Sequence, residues 1–246
     1  MPKFKTPCFI ERDKSFILEV KILKFYLDKK EIVFEPENLL IAGYTARDQK
    51  SLQAHIEELK KIGVAAPNQV PMVYDLSPEL LSTRDFITTV KNDGSGEAEV
   101  VLLSINGKWY VGLGSDHTDR KLEAVSVHKS KQVCAKPISN ELWELASIED
   151  HWDDIELKSW MVLNGKEQLY QAGKLGDFLP PKELLEIIKE RGYSTTNTVL
   201  FCGTPPLKTD KFLYGEKFRA ELSDSKTNKK IKLSYEVKIL TDSKED

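Results

Sequence analysis

Glu97 and Glu99 stand two positions apart in the β-rich run EAEVVLLSI, and Asp116 follows a second such run, KWYVGLG, with Asn106-Gly107 between them. Residues two apart on a strand face the same side. Asn-Gly between two β-rich runs is the strongest short-range signal for a hairpin with a type I′ turn. In such a hairpin Ile105 pairs with Lys108, Glu99 lies opposite Gly114, and Glu97 lies opposite Asp116. Directly opposed residues have Cβ atoms about 4.5–5.5 Å apart. Three carboxylates then share one patch, with a glycine clearing space beside them. Opposed like charges are destabilising unless something compensates them. A hard divalent cation does so, and all-oxygen carboxylate ligation suits Mg²⁺, Mn²⁺ or Ca²⁺. The alternative is a solvent-exposed hairpin end whose acids only solubilise the surface, and a bulge within 112–115 would break the register. Spacing alone leaves both readings open.

Other reactive residue types are more dispersed. His55 projects from the apolar stripe of a helix expected over 51–62, between Leu52 and Leu59. His117 points away from Asp116 if the strand continues, which suits a supporting role. His128 stands alone, and His151-Trp152-Asp153-Asp154 reads as a turn around a packed Trp. Arg120 pairs with Asp116 at i, i+4 or with Glu123 at i, i+3 if a helix begins there. Lys136 precedes Pro137, which favours extended backbone. The three cysteines (Cys8, Cys134, Cys202) are far apart and form no CxxC. That pattern suits a reducing cytoplasm and gives neither a zinc–thiolate site nor a disulfide framework. Cys134 reads as buried packing.

The elements that carry these residues are mostly strands. Residues 16–35 form two strands about a DKK turn, and Pro36 breaks the unit near residue 40. The helix over 51–62 has Leu52, Ile56, Leu59 and Ile62 at helical spacing and Gly63 to end it. Residues 64–78, with three prolines, read as an extended crossing. A second hairpin is centred on Asn164-Gly165. A late helix runs from Pro181 to Gly192, and strands return in TVLFCG, KFRAELSD and KIKLSYEVKIL. Regular βαβ alternation is absent, so the fold class is α+β with a largely antiparallel or mixed sheet. The expected organisation is a small N-terminal β-rich segment, 1–40, and a catalytic domain, 41–246.

Composition narrows the function classes. A chain of 246 residues is one large domain or one with a small appendage. Lys plus Arg number 36 and Asp plus Glu 39, and that near-balance argues against a nucleic-acid partner. A hydrophobic content of 40% argues against a disordered chain. The N-terminus lacks an apolar signal-like region. Apolar runs such as Val100–Ile105 fall far short of the ~20 residues that span a bilayer. The expectation is a cytoplasmic protein with no membrane partner.

The ordered set Gly96-Glu97-Ala98-Glu99-Val100, Gly114-Ser115-Asp116-His117-Thr118-Asp119-Arg120, Lys136-Pro137, Asn164-Gly165 and Gly203-Thr204-Pro205 resembles the fumarylacetoacetate hydrolase superfamily, in a bacterial branch, over about residues 40–240. The resemblance implies a largely β, mixed-sheet roll or barrel-like catalytic domain. It implies a divalent metal held by Glu97, Glu99 and Asp116, with Asp48 as a further ligand. It implies His55 as general base, Arg120 and Lys136 lining the substrate site, and Tyr44, Gly203 and Thr204 as substrate contacts. The implied reaction is hydrolysis of a carbon–carbon bond in a 2-oxo or 1,3-dicarbonyl acid, through a metal-stabilised enolate. Relatives also imply decarboxylation, isomerisation or hydration at the same site, and a non-catalytic binding protein on the same fold is a third reading. The implied partners are a small anionic oxo acid and a second copy of the chain. The sequence departs from the family pattern at Ser115, where Asn is usual, at Pro206, and across Gly43–Asp48, which lacks the common G-x-N-Y-x-x-H run.

Overall fold

The computed structural model describes residues 21–240, except positions 49, 51, 54, 55, 58, 59, 61, 62, 64 and 65, so His55 and Cys8 lie outside the described residues. The chain opens with β1 (Leu23–Leu27), β2 (Lys30–Phe34), β3 (Asn38–Gly43) and β4 (Met72–Leu76). The short β5 (Leu81–Ser82), then β6 (Phe86–Val90) and β7 (Gly94–Ser95), lead into the pair β8 (Ala98–Ile105) and β9 (Lys108–Ser115). Next come β10 (Thr118–Asp119), α1 (Arg120–Glu123), α2 (Val127–Gln132), β11 (Lys136–Pro137) and β12 (Glu141–Glu144). The remainder is β13 (Glu156–Leu163), β14 (Lys166–Lys174), α3 (Pro181–Glu190), β15 (Thr198–Phe201), β16 (Lys217–Asp224) and β17 (Lys229–Leu240).

These strands build two principal sheets. The larger is a curled, mixed half-barrel with the order β2-β1-β12-β9-β8-β15-β3-β4, and the smaller has the order β14-β13-β16-β17-β6. The α+β, largely β, mixed-sheet fold is therefore as expected. The N-terminal hairpin is built into the larger sheet, because β1 pairs in parallel with β12. Within 64–78 the extended crossing includes β4, which pairs antiparallel with β3. Residues 50, 52, 53, 56, 57 and 60 are helical, and Gly63 follows them with φ +91°. No helix among the described residues is long and apolar enough to cross a membrane.

The larger sheet is apolar on both faces, and β8 shows why. All eight of its residues are buried. Val100 and Leu102 enter a core shared with the smaller sheet, beside Leu157, Phe218 and Tyr235. Val101, Leu103 and Ile105 point into the curl with Phe25, Leu39, Tyr74 and Phe201. A strand covered on both faces reads as a continuous apolar run rather than an alternation, as AEVVLLSI does. Helix α3 packs Leu184 and Ile188 into the first of these cores.

Both hairpin turns are type I′, with φ +51° and +75° at Asn106-Gly107 and +50° and +71° at Asn164-Gly165. The first turn sets the register: Ile105 pairs with Lys108, Glu99 with Gly114 and Ala98 with Ser115, with no bulge. One step beyond β8, the Asp116 N–H donates to the Glu97 carbonyl at 2.9 Å, which carries the pairing to the two acids. Gly114 keeps this register packable. A Cβ there would lie 2.4 Å from Phe201 Cε1 and 2.8 Å from Val101 Cγ2.

Gly114→Ala should therefore overpack the core and cost roughly 1–3 kcal/mol or more. Gly107→Ala meets nothing within 4 Å and should cost only the roughly 1–2 kcal/mol of a left-handed backbone. Urea unfolding of the two variants checks this order; equal midpoints would contradict the packing role of Gly114.

Candidate metal centre

The register places Glu97, Glu99 and Asp116 on the curled face of the larger sheet, where one oxygen from each lies within 4.8 Å of the others. Asp116 is fully buried and Glu99 is 3% exposed, so the acids are not surface decoration. Three buried carboxylates need compensation, and the elements after β9 supply it. Asp119 caps α1, its carboxylate accepting from the Leu122 N–H at 2.9 Å. That start turns Arg120 inward, where it meets Glu97 Oε1 at 3.1 Å, Glu123 Oε2 at 2.9 Å and Ser95 Oγ at 2.7 Å. The pairing with Glu123 is one of the two that spacing allowed. The Phe212 ring lies 4.0 Å from the other side of the guanidinium.

Asp116 has an ammonium on each oxygen. Lys131, from α2, donates to Oδ2, and Lys136 Nζ lies 3.4 Å from Oδ1. Lys136 also donates to the carbonyls of His117 (2.8 Å), Cys134 (3.0 Å) and Lys131. Lys136 is wholly enclosed, as Asp116 is, and ties the chain after β9 to the segment around α2. Lys131 is slightly exposed, with Glu97 Oε2 at 4.0 Å and the Tyr74 ring at 5.6 Å. Glu99 is held differently: the Gly203 N–H donates to its Oε2 at 2.8 Å. Gly203 has φ +116°, and a Cβ there would fall 2.0 Å from Thr45 Oγ1, so glycine alone permits this contact.

The electrostatics divide the acids. Burial favours the neutral form of Asp116, but Lys131 and Lys136 outweigh it and hold its carboxyl below the usual range. Burial and then the charge of Asp116 push Glu99 well above that range. Burial opposes the charge on Arg120 and Lys131, yet Glu97 and Glu123 raise the first, and Asp116 and Glu97 the second, above their ordinary values. Lys136 is lowered by burial, which Asp116 only partly offsets. Among the described residues, the carboxylates of Glu97, Glu99, Asp116 and Glu123 face the cations of Arg120, Lys131 and Lys136, which leaves one negative charge in excess when all are ionised.

The donor set fits a hard divalent ion. Oxygens on opposite sides of Mg²⁺ are about 4.2 Å apart, and of Ca²⁺ up to about 5.2 Å. A spread of 4.8 Å needs little movement to serve either. Glu97, Glu99 and Asp116 would hold the ion.

The other expected site residues are arranged less closely. Tyr44 is half-buried with φ +59°, and burial and the Glu123 charge raise its pKa, so it stands near the rim of the cluster. A non-glycine residue held in this region is a local strain of the kind found at ligand sites. Thr204 faces Gln171, whose Nε2 donates to its hydroxyl at 2.6 Å. Asp48 is exposed and is not a member of the carboxylate group. His117 is buried behind the site, its Nδ1 3.1 Å from the Tyr235 hydroxyl, and burial pushes its pKa down to about 3. Cys134 and Cys202 are buried free thiols. His151 has partners that spacing did not suggest: it bridges Asp150 and, at 2.9 Å, Asp224 Oδ2, beside the buried Trp152.

Sequence reasoning missed Lys131. Its signal is weak: Val127 four residues before and Cys134 three residues after put it on the inward side of α2, where a lysine must find a charged partner. Tyr74 and Ser95 carry no such signal, because only the tertiary fold brings them to the cluster.

The model of the family described as protein of unknown function (DUF2848) matches residues 42–235. No curated protein matches the chain. Several solved structures share the fold. Fumarylpyruvate hydrolase from Pseudomonas aeruginosa, in complex with Mn²⁺ and pyruvate, is 12% identical, with a TM-score of 0.60 over 89% of this chain and 97% of that one. 2-Keto-3-deoxy-D-arabinonate dehydratase, complexed with magnesium and 2,5-dioxopentanoate, is 17% identical, with a TM-score of 0.60 over 89% and 79%. A protein from Oleispira antarctica assigned as a fumarylacetoacetate isomerase/hydrolase is 20% identical, with a TM-score of 0.63 over 87% and 99%. With a family model matching most of its length and a half-barrel carrying three clustered acids, the chain belongs to the DUF2848 family and has the fold of the fumarylacetoacetate hydrolase superfamily.

Proposed function

We propose that the protein is a divalent-cation-dependent enzyme of small oxo acids, and that its reaction is hydrolysis of a carbon–carbon bond in a 2-oxo or 1,3-dicarbonyl acid. The observation that carries this reading is the buried group of Glu97, Glu99 and Asp116 with cations packed around it. Neighbours of the same fold hold Mn²⁺ with pyruvate and magnesium with 2,5-dioxopentanoate, which supports Mg²⁺ or Mn²⁺ and an oxo acid here. Once bound, the cation acts as a Lewis acid that polarises a carbonyl.

The chain's own residues supply the rest. Glu97, Glu99 and Asp116 orient the cation. Adding a divalent ion to the ionised cluster turns one excess negative charge into one excess positive charge, which a substrate carboxylate neutralises. Arg120 and Lys131 bias the site toward that anion. Tyr44 stands at the rim to contact it, and the Gly203-Thr204 turn borders the site behind Glu99. His55 is the base that takes a proton from the attacking water. The dehydratase with this fold favours a second reading, a lyase or isomerase at the same centre that needs no activated water. We also infer a homodimer.

Glu97→Gln with Glu99→Gln removes two charged donors at nearly constant shape, and the purified double variant should lose most of its bound Mn²⁺ by elemental analysis. Full retention would contradict the ligand assignment. A screen against 2-oxo and 2,4-dioxo acids should show turnover only with Mg²⁺ or Mn²⁺ present; metal-replete protein inert toward all of them would point to the non-catalytic reading. His55→Ala should lower hydrolysis by about 10²–10⁴-fold, whereas an unchanged rate would favour the lyase reading.

A further inference from the structure

Lys131 is unusual among the charged residues of the centre because it occupies the carboxylates that a metal ion needs. Both oxygens of Asp116 are engaged by ammonium groups, so any ion bound by Asp116 must share an oxygen or displace one of them. The two lysines are not equivalent. Lys136 is anchored by three backbone carbonyls and is wholly enclosed. Among the described residues the Lys131 ammonium donates to no backbone carbonyl; it retains some exposure and has two alternative neighbours in Glu97 Oε2 at 4.0 Å and the Tyr74 ring at 5.6 Å. Lys131 can therefore swing from Asp116 toward these neighbours, whereas the three carbonyls hold the Lys136 ammonium where it is.

Resting on the metal-centre reading above, we propose that Lys131 is an internal competitor that occupies Asp116 until a divalent ion displaces its ammonium, and that it thereby sets the affinity and the charge selectivity of the centre. The exchange explains selectivity through charge. At Asp116 a monovalent ion gives the carboxylate no more positive charge than the ammonium it replaces, whereas a divalent ion gives it one unit more. At this range a unit charge is a large effect in a site shielded from water. The released ammonium keeps Glu97 as its neighbour.

The test is Mn²⁺ binding by calorimetry to the wild-type chain, Lys131→Met, Lys131→Gln, the Glu97→Gln/Glu99→Gln variant, and Lys129→Met as a control for removing an exposed charge from the same helix. Lys131→Met and Lys131→Gln should bind Mn²⁺ at least tenfold more tightly than wild type, and Lys129→Met within about twofold. Equal or weaker binding by the Lys131 variants, with binding still lost in the double Glu variant, would overturn the competitor role and leave Lys131 a structural pillar. Wild-type affinity in the double Glu variant, or no binding to any chain, would sink the metal-centre reading and this inference with it. A measurement needing no variant stands beside these: in the wild-type chain the Lys131 13Cε signal should shift on Mg²⁺ saturation while that of Lys136 holds. An unmoved Lys131 signal would also overturn the proposal.

Discussion

Three carboxylates held within 4.8 Å of one another, two of them almost without solvent, are the constraint to which the rest of the site responds. An unpaired buried carboxylate costs several kcal/mol, so the fold cannot close over β8 and β9 unless positive charge arrives with it. The segment after β9 delivers that charge. α1 brings Arg120 to Glu97, α2 brings Lys131 to one oxygen of Asp116, and β11 brings Lys136 to the other. Both helices are very short, six residues at most. Their geometry is set by caps at Asp119 and Ser126 and by these inward ion pairs more than by helix propensity.

Compensation by protein cations alone is incomplete, and the incompleteness is informative. Asp116 is doubly paired and held below the usual carboxylate range, Glu99 is pushed toward its neutral form by burial and by Asp116, and among the described residues Glu99 accepts only the Gly203 N–H. Such a cluster is ready to take a cation and unready to hold three full charges without one. A structural ion-pair network would be expected to balance its charges and pack its oxygens away. Here Glu97 remains partly exposed, with Lys131 4.0 Å away. The same arrangement accounts for Gly114 and Gly203. One gives up its side chain to the Phe201 ring so that the register packs, and the other gives up its side chain to Thr45 so that its N–H reaches Glu99.

The heart of this centre was legible in the chain before any coordinates, because it depends on local rules. Asn106-Gly107 demanded a two-residue turn, that turn demanded the pairing of Glu99 with Gly114, and the pairing brought Glu97 to Asp116. The late helix and the second hairpin followed from equally local signals at Pro181, Gly192 and Asn164-Gly165. What spacing could not supply was long-range. Nothing in SVHKSKQV distinguishes Lys131 from its exposed neighbour Lys129 until α2 is docked against the curl of the larger sheet. Nothing local marks the carbonyls that enclose the Lys136 ammonium, because only the folded chain assembles them. The joining of the first hairpin to β12 likewise depends on a parallel pairing between segments more than a hundred residues apart, which no local pattern encodes.

The central claim is that Glu97, Glu99 and Asp116 form a divalent-cation site at the curled face of the larger sheet. Crystals grown with millimolar Mn²⁺ and measured at a wavelength where manganese scatters anomalously test it most directly. The account predicts one strong anomalous peak bounded by oxygens of these three residues, about 2–2.3 Å from each. A peak elsewhere with none at this cluster, or no peak while Lys131 stays on Asp116, would contradict it.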